Sequence, residues 1–329
     1  MKKAILVLNE AEIRKCVPLN MEALDEVAKG FTALAKEEVT LPPILRIDVP
    51  ENHGEVDVKT AYIHGLDSFA IKIAAGFFKN SELGLPTGSG MMVLISAETG
   101  NPMAILLDNG YLTDLRTGIA GAIAAKYLAP KEMKIAGVIG SGMQARYQMR
   151  SLKMVRDFSQ LLIFGIVEDE VDTYVAEMSE ELGVEVIKAQ DAESVVRESD
   201  VVVTSTPSKT PYLHADWLHP GLHITCMGSD SEDKQEIEVD VFTKADRIFC
   251  DRKSQVFRLG ELHHALEAGA VTEETPIELG ELTSGRVAGR ESEDEITICD
   301  LTGVGVQDTQ IARLAYRKAT ALGLGQTVK

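Results

Sequence analysis

The sequence predicts an α/β protein: a doubly wound parallel sheet joined to an N-terminal α+β domain. Three observations carry this. From residue 134 onward, short apolar runs alternate with segments of helical periodicity, the pattern of a parallel sheet with helices on both faces. The first of those runs ends in Gly140-Ser141-Gly142 and then Ala145, so small residues cluster where a strand stops. Between 56 and 107, apolar runs follow one another with Gly, Pro, Asn and Ser between them, which reads as antiparallel β structure with turns.

Asn9 with Glu12 three residues on is a capping-box pattern. Leu24, Val27, Phe31 and Leu34 recur at helical spacing behind Asn20, a predicted N-cap. "LPPILRIDVP" breaks that helix and extends the chain. The β region is built from "VDVKTAYIHG", "FAIKIAAGF", "GMMVLISA" and "PMAILLD". "LTDLRTGIAGAIAAKYLAP" reads as a helix capped by Thr113 and ended by Pro130, and its glycines and alanines give it a thin face for close backbone approach. Strands are then expected at 134–139, 160–164, 184–188, 200–204, 222–227, 246–250 and 295–300, with helices at 142–155, 169–182 and 254–268. Residues 284–295 form a polar loop, and "GVGVQDTQIARLAYRKATALG" a last helix. The expected domains are 1–115 and 116–302, followed by the helical segment 303–329.

A chain of 329 residues, 45% hydrophobic, buries one large or two medium cores. Its 33 basic and 51 acidic residues give a net charge of −18, which argues against nucleic acid and anionic membranes as partners. No apolar run approaches the roughly 20 residues of a membrane span, and the short apolar run after the first lysines lacks a cleavage site. Cys16, Cys226, Cys250 and Cys299 are scattered, without a CxxC pair, and three lie in apolar runs. They read as reduced core residues of a cytoplasmic protein. Metal-ligand spacing is absent, His263-His264 being a bare neighbouring pair.

Gly140-x-Gly142-x-x-Ala145 fits the dinucleotide fingerprint G-x-G-x-x-G/A. The first glycine makes the turn, the second lets a pyrophosphate approach, and the third small residue lets the helix pack. The helix N-terminus offers unpaired N–H groups to phosphate. A tight turn without a ligand is the plainer alternative. The acid expected about 20 residues on, to hold the adenine ribose, is replaced by Gly165. No arginine stands ready for a 2′-phosphate, and Glu168 and Asp169 would repel one, so NAD is expected over NADP.

Four charged residues stand out. Lys72 lies inside "FAIKIAAGF", where an ammonium is costly unless paired. It is either an edge residue reaching water or a site lysine of lowered pKa. Arg116 opens the small-residue helix and Arg46 follows "PPIL"; each alone reads equally as a surface residue. With Lys72 they would make the cationic lining that a small carboxylic acid needs. Asp230 follows an apolar strand and a Gly-Ser turn, at the sheet edge where substrate and cofactor meet. It could serve as general base or merely cap a helix.

The stretches "LPPILR", "IKIAAGF", "LTDLRTGIAGAIAAKYLA", "GVIGSGMQAR", "HITCMGSDSEDKQEI" and "ICDLTGVGVQD" together resemble the ornithine cyclodeaminase/mu-crystallin family over nearly the full length. "GELHHALEAG" and "ADRIFCDR" are most similar to its ectoine-utilisation cyclodeaminase-like branch. The resemblance implies a Rossmann domain, and an N-terminal substrate-binding domain that pairs in a homodimer and is rejoined by the C-terminal helix. It implies substrate binding by Arg46, Lys72 and Arg116, and acid–base work by Lys72 and Asp230. It places the dinucleotide on Gly140, Ser141, Gly142, Met143, Gln144 and Ala145, with Arg116, Thr117, Thr204, Met227 and Lys234 at further cofactor positions. Leu301 departs from the serine that many members have beside the nicotinamide. The activity implied is an NAD(P)-dependent oxidoreductase or cyclodeaminase acting at the α-carbon of a small amino or imino acid, such as one from ectoine breakdown. A four-carbon diamine would have to close a strained four-membered ring, which favours an imine reductase or amino-acid dehydrogenase with net cofactor turnover. A non-catalytic ligand-binding protein of the mu-crystallin type is the remaining alternative.

Overall fold

Steric and hydrogen-bonding signals in the first helices act as expected. In a computed structural model, which describes residues 4–329, Asn9 and Glu12 exchange side-chain-to-backbone hydrogen bonds of 3.0 Å each. Asn20 caps the second helix through the Ala23 N–H.

In chain order the elements are β1 (Ile5–Asn9), α1 (Glu10–Cys16), α2 (Met21–Ala35), β2 (Val39–Thr40), β3 (Leu45–Val49), β4 (Gly54–Ile63), β5 (Ser68–Phe77), β6 (Gly88–Ser96), β7 (Pro102–Leu107), α3 (Tyr111–Leu128), β8 (Ile135–Ile139), α4 (Met143–Val155), β9 (Gln160–Phe164), α5 (Glu168–Leu182), β10 (Glu185–Lys188), α6 (Ala192–Glu198), β11 (Val201–Thr204), β12 (His223–Cys226), α7 (Val239–Lys244), β13 (Arg247–Cys250), α8 (Lys253–Leu259), α9 (Glu261–Glu267), β14 (Ile277–Glu278), α10 (Leu279–Thr283), β15 (Thr297–Asp300), α11 (Gly305–Leu322) and β16 (Gln326–Val328). The chain divides into two compact units. One comprises the residues up to Arg116 together with Val304–Lys329; the other is Thr117–Gly303.

The first unit holds a mixed sheet in the order β16-β1-β7-β6-β5-β4-β2, with β3 also paired to β4. Its meander from β3 to β7 is antiparallel, while β1 joins β7 in parallel and β16 joins β1 antiparallel. Strand alternation splits this sheet into two faces. One carries Leu8, Ala61, Ala70, Lys72, Met92, Leu94, Ala104 and Leu106, all at 0–2% exposure. Helix α11 lies on this face, against β4, β5 and α2. The approach is close: a Cβ added to Gly305 would sit 2.4 Å from the Thr60 carbonyl oxygen. The opposite face carries Val56, Val58, Ile71, Ile73, Val93 and Ile105, which remain partly exposed. Leu45, Ile47, Met91 and Leu107 on that face are 38–55% exposed.

The second unit is an eight-stranded sheet, β10-β9-β8-β11-β12-β15-β13-β14, parallel throughout. Order reverses between β8 and β11, the topological switch point where ligands bind such sheets. Apolar cores cover both faces. One is built on Val138, Leu161, Val171 and Tyr174, the other on Val202, Ile224, Val241 and Ile298. The thin face of α3 meets α4: a Cβ on Gly118 would stand 2.7 Å from the Tyr147 carbonyl oxygen.

Three expectations need correction. Thr113 is not the cap of α3. The helix starts at Tyr111, and the buried Asp108 carboxylate accepts from the Leu112 N–H at 2.8 Å. The helix expected over 254–268 is two helices, α8 and α9, broken at Gly260, whose backbone presses against Asp300. The final helix stops at Gly323, in the left-handed region, and the chain returns as strand β16. Among the described residues no helix is long and apolar enough to cross a membrane.

Candidate active site

In the first unit, β5 turns the side chains of even-numbered residues toward α11, which carries Lys72 into the interior at 2% exposure. Arg116, on α3, is 4% exposed. Between them stands Asp308, in the first turn of α11 and 0% exposed. Its Oδ1 lies 3.0 Å from Arg116 Nε and its Oδ2 lies 3.5 Å from Lys72 Nζ. These are ion-pair distances without hydrogen-bond alignment: both Asp308 oxygens and Arg116 Nε have no hydrogen-bond partner. The neighbours of Asp308 pin its helix turn. Gln307 donates to the Arg116 carbonyl at 3.1 Å, and Thr309 donates to the Ala61 carbonyl at 2.7 Å while accepting from the Ala70 N–H.

Lys59 is directly across from Lys72 on β4 and is 7% exposed. Burial, with the Arg116 charge adding, pushes the Lys72 amine down to about 7; Asp308 and Asp57 oppose that shift, and Lys59 adds to it. An amine near 7 can both hold and release a proton at neutral pH. Arg46 lies outside this buried group. It shares the sheet face, opposite Asp57 in register, but its guanidinium is held by Glu55 at 2.6 Å and Asp48 at 2.9 Å.

In the second unit, Gly140 follows β8 with φ +114°, a conformation that disfavours other residues. A Cβ there would meet the Ser205 carbonyl oxygen at 2.7 Å. Gly142, the N-cap of α4, supplies no side-chain cap, and a Cβ on it would meet nothing within 4 Å. The turn therefore leaves open space in front of a helix N-terminus, which fits a dinucleotide pyrophosphate. Ala145 is fully buried, Met143 is 55% exposed, and Gln144 lies between them in the first turn. Ser141 donates to Glu170 at 3.0 Å, and its carbonyl accepts from Arg146, which also pairs with Glu177. Gly165 is tight. A Cβ there would sit 2.9 Å from Val171 Cγ2 and 3.3 Å from Ser141 Oγ, so the position customary for the ribose acid leaves little room for a side chain.

Of the other expected positions, Thr204, Met227, Asp230 and Lys234 lie at or just after the carboxyl ends of β11 and β12. Thr204 ends β11, and its carbonyl accepts from the Met227 N–H at 3.0 Å. Asp230 accepts from Lys234 Nζ at 2.6 Å. Thr117 follows Arg116 on α3, and its carbonyl accepts from Gln148 of α4 at 3.0 Å. Leu301 is buried behind β15, bonded to the Cys226 carbonyl.

Sequence reasoning missed a buried acidic group beneath these loops. Glu236, Glu261, Asp300 and Asp251 are all at 0–1% exposure. Glu236 accepts from Thr206, Tyr212 and the Gly228 N–H, and Glu261 accepts from the Glu236 and Ile237 N–H groups. Burial pushes the Asp300 carboxyl up to about 8, with Asp251 and Glu236 adding to the effect, and raises Glu261 well above its ordinary range. The one signal in the sequence was an acid flanked by apolar residues, as in "ITICD". His263, His264 and Glu267 bring one ligand atom each within 4.8 Å of one another, with His264 Nε2 facing the Lys234 carbonyl.

A model of the ornithine cyclodeaminase/mu-crystallin family matches residues 1–322. An uncharacterized cyclodeaminase of Sinorhizobium fredii is 47% identical over 97% of both chains. Among solved structures, Thermococcus litoralis Δ1-pyrroline-2-carboxylate reductase in complex with NADH and L-proline superposes with a TM-score of 0.93. It is 29% identical and covers 98% of this chain and 100% of that one. An archaeal alanine dehydrogenase dimer with bound NAD gives a TM-score of 0.91 at 34% identity, covering 99% of each chain.

Proposed function

We propose, from the premise that this chain belongs to the ornithine cyclodeaminase/mu-crystallin family, that it is an NAD-dependent oxidoreductase acting at the α-carbon of a small amino or imino acid. The observation that carries this reading is the buried group of Lys72, Arg116 and Asp308, two cations and one carboxylate shut away from water. Buried charges of this kind are expensive to assemble, and a site for a small carboxylate is a reason to keep them. NAD bound at the turn from Gly140 to Ala145 supplies hydride exchange with the substrate carbon.

Arg116 presents a guanidinium fork to the substrate carboxylate, and Lys72 adds a second donor. Amino-acid oxidation removes a hydride from Cα and a proton from nitrogen, leaving the imine; reduction adds both back. Lys72, titrating near 7, takes or returns that proton. Arg46 serves at the outer edge of the same face. Asp230, paired with Lys234 at the carboxyl end of β12, handles the amine or a water. Thr117, Thr204, Met227 and Lys234 line the dinucleotide. The similarity to the reductase and the dehydrogenase supports net cofactor turnover. A second reading, cyclodeamination of a diamino acid without net turnover, is favoured by Asp57, whose Oδ1 is buried without a hydrogen-bond partner and could receive a distal ammonium. The resemblance to the ectoine-utilisation branch makes small amino acids of that breakdown the first substrates to try.

The half-exposed apolar sheet face of the first unit, with Leu45, Ile47, Met91 and Leu107 at its surface, supports assembly as a homodimer through that face.

The test is incubation with NAD(H) and a panel of amino, diamino, cyclic imino and 2-oxo acids with ammonia, reading the reduced-nicotinamide absorbance and ammonia together. Net absorbance change is expected. Ammonia release without it selects the cyclodeaminase reading. Lys72→Met is expected to lose at least ~100-fold in turnover, the usual scale of general acid–base catalysis, while NADH binding measured by fluorescence stays unchanged. Full activity in that variant overturns the assignment.

A further inference from the structure

Asp308 is the one member of the buried group with no part in the chemistry above. We infer that Asp308 is a positioning residue: its carboxylate, 3.0 Å from Arg116 Nε and 3.5 Å from Lys72 Nζ, holds the two cations at a fixed spacing and sets the proton affinity of the Lys72 amine. The inference rests on the reading of Lys72 and Arg116 as the substrate-handling pair.

The geometry distinguishes this carboxylate from an ordinary structural ion pair. A structural pair aligns its hydrogen bonds, and an Arg–carboxylate pair is commonly bidentate. Here each oxygen faces a different cation and neither contact is aligned. Asp308 thus supplies charge while leaving the N–H groups of Lys72 and Arg116 undirected toward it. That is what a counter-ion must do if the same donors are to turn to an incoming carboxylate. Its own charge is supported by the two cations and by its place in the first turn of α11, at the positive end of the helix. Gln307 and Thr309, the residues on either side, lock the turn to the Arg116 carbonyl and to β4 and β5, so the carboxylate cannot drift.

The charged groups facing Lys72 come from three elements. Arg116 projects from α3 and Asp308 from α11, while Lys59 and Asp57 project from β4. The neighbour on β6 is Met92, which is apolar. Arg116 and Lys59 oppose the charged amine, and Asp308 and Asp57 favour it. Of the two carboxylates, Asp308 is the one at ion-pair distance. Removing its charge leaves two cations pressing on Lys72, and the amine should then lose its proton at lower pH.

The experiment measures that proton directly, without turnover. Protein carrying 13Cε-lysine is titrated by NMR, with the Lys72 signal assigned by its loss in Lys72→Met. In Asp308→Asn the Lys72 midpoint is expected to move to lower pH by at least about one unit, a tenfold change in proton affinity. In Asp308→Glu, which keeps the charge, it should stay nearer the parent value than in the Asn variant. An unchanged midpoint in Asp308→Asn overturns the inference. Should the Asn protein not fold, Asp308→Ser, smaller and equally neutral, gives the same readout. The limb of the kcat/KM pH profile that Lys72→Met abolishes should move with the NMR midpoint. A midpoint that moves while the rate profile stays fixed upholds the role of Asp308 toward Lys72 and counts instead against Lys72 as the substrate-handling amine.

Discussion

At the residue scale, the two glycines of the turn do opposite work. Gly140 is required by the backbone: its φ is +114°, and a Cβ would collide with Ser205. Gly142 is required by nothing in the protein itself, since its φ of −77° suits any residue and its Cβ direction is empty. The two substitutions should therefore separate. Gly140→Ala is expected to lower thermal stability by about 1–3 kcal/mol. Gly142→Ala is expected to keep the parent unfolding temperature and lose tenfold or more in NADH affinity, read by melting curves and fluorescence titration side by side. The same scale shows what a sequence can and cannot announce. Lys72 was legible because a cation among apolar residues is conspicuous, whereas Arg116 gained meaning only beside Lys72 and Arg46. Asp308 was not legible, because an acid in the first turn of a helix is the commonest thing to find there. Only the packing of α11 on β5 turns it into their counter-ion. Gly165 is the converse case: its missing carboxylate was legible, and the reason, the closeness of Val171 and Ser141, was not.

At the scale of elements, the parallel strands were readable to within one or two residues, because strands buried on both faces are unbroken apolar runs. Among the strands that escaped, β14 and β16 are too short or too polar to carry a pattern. Gly260 escaped for a different reason. A helical period runs through it, and at the break the Asp300 carboxylate accepts from the Leu262 N–H at 2.9 Å and leaves no room for a Cβ on Gly260. That buried acid has a measurable consequence. The folded protein holds the Asp300 proton up to about pH 8, whereas an unfolded aspartate releases it near 4. Asp300 should therefore lower stability as pH rises through that window, by at most about 1.4 kcal/mol per pH unit. Denaturant unfolding of Asp300→Asn between pH 5 and about 8 should lack this part of the parent's slope. Equal slopes in the two proteins would mean that Asp300 is ionised in the fold. His223 works the other way. It is fully buried between Thr297 and Thr225, and burial, with the Arg290 charge adding, pushes it down to about 3. His223→Asn should remove a loss of stability that sets in as pH falls below about 6.5.

At the scale of the whole molecule, net charge and apolar surface pull in different directions. A charge of −18 keeps copies apart in general, so a face that overcomes it must be apolar and local. The side of the first unit's sheet that bears Leu45 and Ile47 has that character. Ile47→Lys is expected to convert the proposed dimer to a monomer in sedimentation velocity, with NADH binding retained; an unchanged mass would exclude this face.

The first unit is also assembled from both ends of the sequence, while the second is continuous from Thr117 to Gly303. On a ribosome, β4 to β7 emerge long before Val304, so Lys72 and Arg116 must wait through the synthesis of the entire parallel sheet before their counter-charge exists. Folding should therefore be ordered, with the dinucleotide fold able to close by itself and the meander needing Val304–Lys329 to become protease-resistant. Protein truncated after Gly303 and freed from the ribosome would display that intermediate, one half native and the other still open.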